Sequence, residues 1–333
     1  MDPRLPAEID EFGRSTAEML RRRTGFALAR AAQTGAAEGG GAEAGGEDPR
    51  AAAAELLSAI DADGIDPRAT VEEALAAAEL CRAAGAVVLP APVAQRLCRD
   101  EDGGGFAVVA SLDAPVVVDH ADLLDRVVTL DGRRGRIAAR TPIAGKLSRY
   151  AAEVTVEPLD GEAAPLDVAL WLNLQAAYVN GALETAVALT VEHTSQRRQF
   201  GKPLSSFQSL RFQVVEASLA CRGLLQLLRF SLWRLHEAPD DTLVDALGLR
   251  LQAQEAARRV LAVAHQLHGA MGFANEHDLP FVTRGIQTAL RLPLDYEATT
   301  DALLRRVDAG GFDTLYGRFT PGVVGAPAPT TPV

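Results

Sequence analysis

The chain has 333 residues, 48% of them hydrophobic, and a net charge of −11. That size and composition suit a globular protein with a large core divided into two or three subdomains, and the acidic balance argues against general binding to nucleic acid or to an anionic membrane surface. No apolar run is long enough to span a bilayer, the start Met1-Asp2-Pro3-Arg4-Leu5 lacks the basic-then-apolar order of a secretory leader, and the three cysteines (Cys81, Cys98, Cys221) are widely spaced as in reduced, buried thiols, so the expected compartment is the cytoplasm.

Residues 1–85 read as a helical N-terminal domain. Over 6–33, Phe12, Met19, Leu20, Phe26 and Leu28 recur near helical spacing. Residues 34–49 form a glycine-rich acidic linker. No strand precedes it and its carboxylates repel phosphate, so it does not read as a phosphate loop. Residues 50–84 are alanine-rich and predict one or two helices, broken near residues 61–67. Residues 86–160 change character. Short β-rich runs at 87–89, 107–109, 115–118, 126–130 and 153–156, separated by turns such as Gly103-Gly104-Gly105 and Asp131-Gly132, predict a small β-domain.

From Asp167 to about residue 307 the pattern is helical. Leu172, Ala176, Val179, Leu183, Val187 and Thr190 step by three or four residues, as do Leu210, Val214, Ala217, Cys221, Leu224 and Leu228. Asp240-Asp241-Thr242 can cap a third helix, Gly269 and Gly272 can end it, and Glu276-His277-Asp278-Leu279 opens a fourth. Asp167 reads as the cap of the first. Four long antiparallel helices over 165–310 make a bundle. The Pro-, Thr- and Gly-rich tail 311–333 is expected to fray.

Two segments carry chemistry. The first is Gln196-Arg197-Arg198-Gln199-Phe200-Gly201-Lys202-Pro203-Leu204-Ser205-Ser206-Phe207-Gln208. Arginines just past a helix end complement its dipole, and the planar guanidinium can pair two phosphate oxygens at once. Gly201-Lys202-Pro203-Leu204 forces a turn, with Phe200 and Phe207 as its expected anchors. The second is Gln266-Leu267-His268-Gly269-Ala270-Met271-Gly272-Phe273, followed by Glu276. Its glycines allow backbone N–H groups to approach a diphosphate, or Gly269 serves only as a helix C-cap. The six histidines (His120, His193, His236, His265, His268, His277) show no ligand spacing, and no metal is expected. His193-Thr194-Ser195 lacks the G-x-S-x-G elbow of a hydrolase.

In this order, and about seventy residues apart, the two segments resemble the "R-x-Q-F-G-K-P-L…F-Q" and "Q-x-x-G-G-x-G-F…E" elements of the acyl-CoA dehydrogenase family. The resemblance is strong over roughly 165–290 and architectural before that. It implies a mainly α fold with a small β-domain: N-terminal helices, a reduced β-domain and a C-terminal four-helix bundle. It also implies FAD as cofactor, bound by Arg197, Phe200, Gln208, Gln266, Gly269 and Gly272. Arg197 would meet the diphosphate and Gln208 the adenosine half, while the second segment would reach FAD held by a neighbouring subunit. Ala270 replaces the family's second glycine.

The family's catalytic glutamate, which takes the α-proton while a hydride leaves the β-carbon, occupies one of two places. Counting from Gly272-Phe273, the "Y-E-G-T" position falls on Pro293, and Tyr296-Glu297-Ala298-Thr299 looks like that element shifted by four residues. The alternative place, on the first bundle helix, falls near Trp171, between Leu170 and Leu172. The family's "T-E-x-x-x-G-S-D" loop and "W-x-T" strand have no counterpart in 86–158. The chain thus resembles the short subunit of actinobacterial heteromeric acyl-CoA dehydrogenases that act on CoA thioesters of steroid side chains. The resemblance implies a base-lacking subunit completing the FAD site of a second acyl-CoA dehydrogenase subunit in an α2β2 assembly, with an acyl-CoA substrate and an electron-transfer flavoprotein as acceptor. Two alternatives stay open: a self-sufficient homomeric enzyme with Glu297 as base, and a flavin-free structural subunit.

Overall fold

The computed structural model describes residues 5–34, 48–99, 103–143, 148–237 and 242–311; most of the glycine-rich linker, Asp240, Asp241 and the tail beyond 311 lie outside the described residues. The N-terminal part is helical: α1 (Ala7–Arg23), α2 (Ala27–Thr34), α3 (Pro49–Ala59) and α4 (Val71–Ala86). Local chemistry accounts for their ends. Acids open α1 and three arginines close it, matching the helix dipole. Asp48 accepts the Arg50 N–H ahead of Pro49 at the start of α3, and Thr70 accepts the Glu73 N–H at α4. The break between α3 and α4 comes at Asp61, which turns left-handed at φ 56°.

Val87-Val88-Leu89, expected as a strand, forms the end of α4 and the turn after it. All three side chains are buried in the helical core. Their hydrophobicity serves packing between helices, which a short apolar run cannot declare. A short helix, α5 (Val93–Leu97), follows.

The β-domain is a five-stranded sheet in the order β1-β3-β4-β5-β2. Its strands are β1 (Phe106–Val109), β2 (Val116–Val118), β3 (Arg126–Thr129), β4 (Arg133–Pro142) and β5 (Ala152–Glu162). β1 and β3 pair in parallel, and the other pairs are antiparallel. Ala152, Val154 and Val156 alternate inward on β5 and join Val109, Val127 and Ile137 in a second small core. β4 escaped the sequence reading because four arginines occupy its length (Arg133, Arg134, Arg136, Arg140) and most of its side chains are exposed.

The bundle is built on α6 (Pro165–Gln196), α7 (Gln208–Glu237) and α8 (Leu243–His268). Asp167 is not the cap of α6: Ala164 holds that position with Pro165 following, and Asp167 lies inside the first turn, 3.1 Å from the Arg68 guanidinium. α6 lies between α4 and α8 and is buried along most of its length. Two glycines permit the α4–α6 contact. A Cβ on Gly85 would lie 1.9 Å from the Tyr178 carbonyl oxygen, and one on Gly181 would lie 2.0 Å from that of Arg82. Nearby, Arg82 pairs with Glu79 and Glu184 and donates to Asn180. Burial nonetheless holds the Glu79 carboxyl above its usual range.

The fourth bundle helix is not continuous. It divides into α9 (Leu279–Gly285), α10 (Gln287–Arg291) and α11 (Tyr296–Arg306). Pro293 lacks the N–H that would continue the helix. The freed carbonyls of Ala289, Leu290 and Leu294 accept from the buried Arg250 guanidinium at 3.1, 3.1 and 2.5 Å. Desolvation pulls the Arg250 pKa down to about 10. No helix among the described residues is long and apolar enough to cross a membrane.

Candidate functional site

α6, α7 and α8 alternate in direction, so the C-terminal ends of α6 and α8 meet at one end of the bundle. The contact is direct: the His193 ring, on the last turn of α6, stacks on that of His268 at 4.4 Å. Both segments singled out in the sequence therefore emerge at the same end.

Arg197 caps α6, its N–H donating to the His193 carbonyl at 2.8 Å. The chain then folds into a two-strand hairpin, β6 (Arg198–Gln199) and β7 (Lys202–Pro203), closed by a Leu204 N–H bond to the Arg197 carbonyl at 2.9 Å. Its tip, Phe200-Gly201, is left-handed at both residues (φ 53° and 80°), the twist a two-residue hairpin requires. Phe200 is 90% exposed at that tip and does not anchor the turn. Phe207 does, with the Lys202 ammonium 4.2 Å above its ring. The Arg197 guanidinium is exposed and makes no ion pair among the described residues. Gln208 is exposed at the start of α7.

At the end of α8, Gln266 is exposed and Gly269 caps the helix at φ 59°. Nothing lies within 4 Å of where a Gly269 Cβ would stand, so backbone conformation, not space, demands glycine. Gly272 is buried in the 3-10 turn Gly269–Phe273. Beyond it, Phe273 is 72% exposed and stacks on His265. The Arg30 guanidinium of α2 bonds Asp278 at 2.6 Å and fixes the following loop. Burial pulls the His193 and His265 pKa values below the ordinary histidine value and that of His268 to about 4. A solvent-facing guanidinium with no internal carboxylate, beside an open left-handed glycine turn, has the donor chemistry for a diphosphate.

A separate cavity of about 380 Å³ lies where α2, α5, the β-domain, α6, α9 and α10 meet. Trp171, at one of the two places where the family resemblance puts a catalytic carboxylate, lines it with its indole; the other place, Pro293, directly follows the lining residue Leu292. Glu297 is exposed on α11 and does not line the cavity. Among the described residues the one carboxylate in its lining is Asp119, which accepts the Ser148 hydroxyl at 2.8 Å. Beside it, His120 is left-handed (φ 53°), buried, and stacked on Tyr150 at 5.1 Å. Desolvation lowers the His120 pKa. Sequence reasoning passed over Asp119 and Tyr150 and gave His120 no role, because no spacing marks residues that converge only through the sheet.

Residues 174–291 match the acyl-CoA dehydrogenase C-terminal domain. Acyl-CoA dehydrogenase FadE28 of Mycobacterium tuberculosis (strain ATCC 25618 / H37Rv) is 34% identical over 200 residues, covering 54% of this chain and 53% of the relative. The chain thus spans about half the length of the curated relatives it matches. The ChsE4-ChsE5 complex from Mycobacterium tuberculosis superposes with a TM-score of 0.71 at 15% identity, over 92% of this chain and 99% of that one. The Tcur3481-Tcur3483 steroid ACAD superposes with a TM-score of 0.73 at 15% identity, over 91% and 98%. The fold is that of the acyl-CoA dehydrogenases.

Proposed function

We propose that this chain, a member of the acyl-CoA dehydrogenase family, is the base-lacking subunit of a heteromeric, FAD-dependent acyl-CoA dehydrogenase in the cytoplasm. The complex would desaturate the Cα–Cβ bond of a CoA thioester carrying a steroid side chain, pass electrons to an electron-transfer flavoprotein, and assemble as α2β2. The observation that carries the proposal is the residue at each expected base position: Trp171, in the cavity wall, and Pro293, directly after the wall residue Leu292, and neither can abstract a proton. The similarity to FadE28, to the two-component ChsE4-ChsE5 complex and to a steroid ACAD supports the assembly and the substrate class.

FAD supplies the hydride acceptor for the β-carbon. Arg197 would hold its diphosphate, with Phe200 and Gln208 toward the adenosine half. Gln266, Gly269 and Gly272 would offer an amide side chain and backbone N–H groups to FAD held by the partner. Within this chain the Trp171 wall can shape and dry a ligand site but cannot take a proton.

The test is to purify the chain alone and with its partner subunit. Alone it should lack stoichiometric flavin and turnover; the complex should have both, and Arg197→Ala in this chain should lower bound FAD at least about tenfold. Stoichiometric FAD with acyl-CoA oxidation by the lone chain would overturn the proposal. One observation favours a second reading, a self-sufficient enzyme: Asp119 faces the cavity. Were that right, Asp119→Asn would abolish turnover of the lone chain and Glu297→Gln, on the exposed face of α11, would not.

A further inference from the structure

We propose that His193, His268 and His277 form a binding site for a divalent transition-metal ion of the imidazole-preferring kind, with zinc as the reference. Their ligating atoms all lie within 4.8 Å of one another. The ring centroids are 4.4 Å apart for His193–His268, 4.6 Å for His268–His277 and 6.3 Å for His193–His277. Three imidazoles on one tetrahedral zinc, each with its nitrogen about 2.0–2.1 Å from the metal, hold their centroids roughly 5 Å apart. Small side-chain rotations close the difference.

His268 is the preorganised member. It is 4% exposed. Its Nδ1 lies 2.7 Å from the Ala264 carbonyl, which can only accept, so Nδ1 carries the proton and Nε2 presents a lone pair. That Nε2 is buried and has no hydrogen-bond partner. A ring held by a backbone carbonyl on one nitrogen and bare on the other is the usual arrangement of a metal-ligating histidine, and an orphaned buried nitrogen calls for an explanation. His193 is half-buried on the last turn of α6. His277 has a lone pair at Nδ1, which accepts the Leu279 N–H at 3.1 Å. An ion engaging that atom competes with the amide, and the Arg197 charge reaches His193. Both effects make this a site of moderate affinity, weaker than a structural zinc centre. Three protein ligands leave a fourth position for water or an anion. The ion would pin the last turn of α6, the end of α8 and the start of α9, fixing the Arg197 and Gln266–Gly272 segments relative to each other whether or not a flavin is bound.

The experiment uses the full chain without a polyhistidine tag, stripped with EDTA and dialysed, then titrated by calorimetry with Zn²⁺, Co²⁺, Mg²⁺ and Ca²⁺. One equivalent of Zn²⁺ should bind and raise Tm, Co²⁺ should develop visible d–d absorption, and Mg²⁺ and Ca²⁺ should not bind at the cluster. His193→Ala and His277→Ala should each weaken Zn²⁺ binding at least tenfold, while His265→Ala, one turn before His268 on α8, should not. Should His268→Ala fail to fold, the other two variants decide. Absence of stoichiometric Zn²⁺ uptake, equal uptake of Mg²⁺, or Zn²⁺ binding that survives in both His193→Ala and His277→Ala would overturn the proposal. These readouts are independent of flavin content and turnover, so they fail separately from the dehydrogenase proposal.

Discussion

Trp171 is 3% exposed on a helix buried along most of its length, and its indole forms cavity wall where the family resemblance puts a carboxylate. An indole cannot abstract a proton, so at this position the chain has no base for the dehydrogenation proposed above. That much was readable by counting from Phe200. Counting could not say whether Glu297, four residues late, had been carried back to the cavity by an insertion; its exposed place on α11 answers that. The histidines were opaque for the same kind of reason. His193 lies far in sequence from His268 and His277, and only helix packing brings the rings together. His268 carries a pH prediction. Burial lowers its pKa to about 4 from 6.5, so between those values the unfolded chain binds more protons than the folded one. Stability is then complete above about pH 6.5 and falls as the pH drops toward 4. Denaturant unfolding with chelator present, compared between wild type and His268→Gln, should show a shallower pH slope in the variant. Parallel slopes would remove His268 as the cause.

The helices themselves were largely legible, because periodicity of three to four and capping residues are local properties. The α8 stop at Gly269 and the opening of α9 at Leu279 coincide with local signals. What failed locally involved tertiary packing. The fourth helix ends locally at Pro293, and the break is tolerated inside the fold because Arg250, distant in sequence, receives the carbonyls it exposes. Residues 87–89 are buried among helices and not paired in a sheet. The α4–α6 crossing supplies the prediction at this scale. Gly181→Ala places a methyl carbon 2.0 Å from the Arg82 carbonyl oxygen. Backbone on both sides must move, and a destabilisation of about 3 kcal/mol or more is expected from chemical denaturation. Gly223→Ala, on α7 with open space around it, should be neutral or slightly stabilising. Equal effects of the two would refute the close-packing account.

Across the whole molecule, α7 turns an apolar stripe to solvent: Phe212, Val215 and Leu219 are 57%, 52% and 59% exposed at a spacing that keeps them on one face. Exposed apolar patches of this kind suit association, and the proposed partner subunit is the expected occupant. Leu219→Asp should weaken the heteromer at least tenfold while leaving the Tm of the isolated chain within about 2 °C. An unchanged complex by light scattering would exclude this stripe from the interface. The sequence by itself determined the helical N-terminal part, the bundle, the two motif segments and the apolar character of the two base positions. All of these rest on residue identity and short-range spacing. Only the tertiary structure decided that the two segments emerge at one end of the bundle, that Trp171 and Leu292 share a cavity with Asp119, and that three histidines converge. Those facts depend on how helices of defined length and direction pack, and on the two glycines that let α4 and α6 approach.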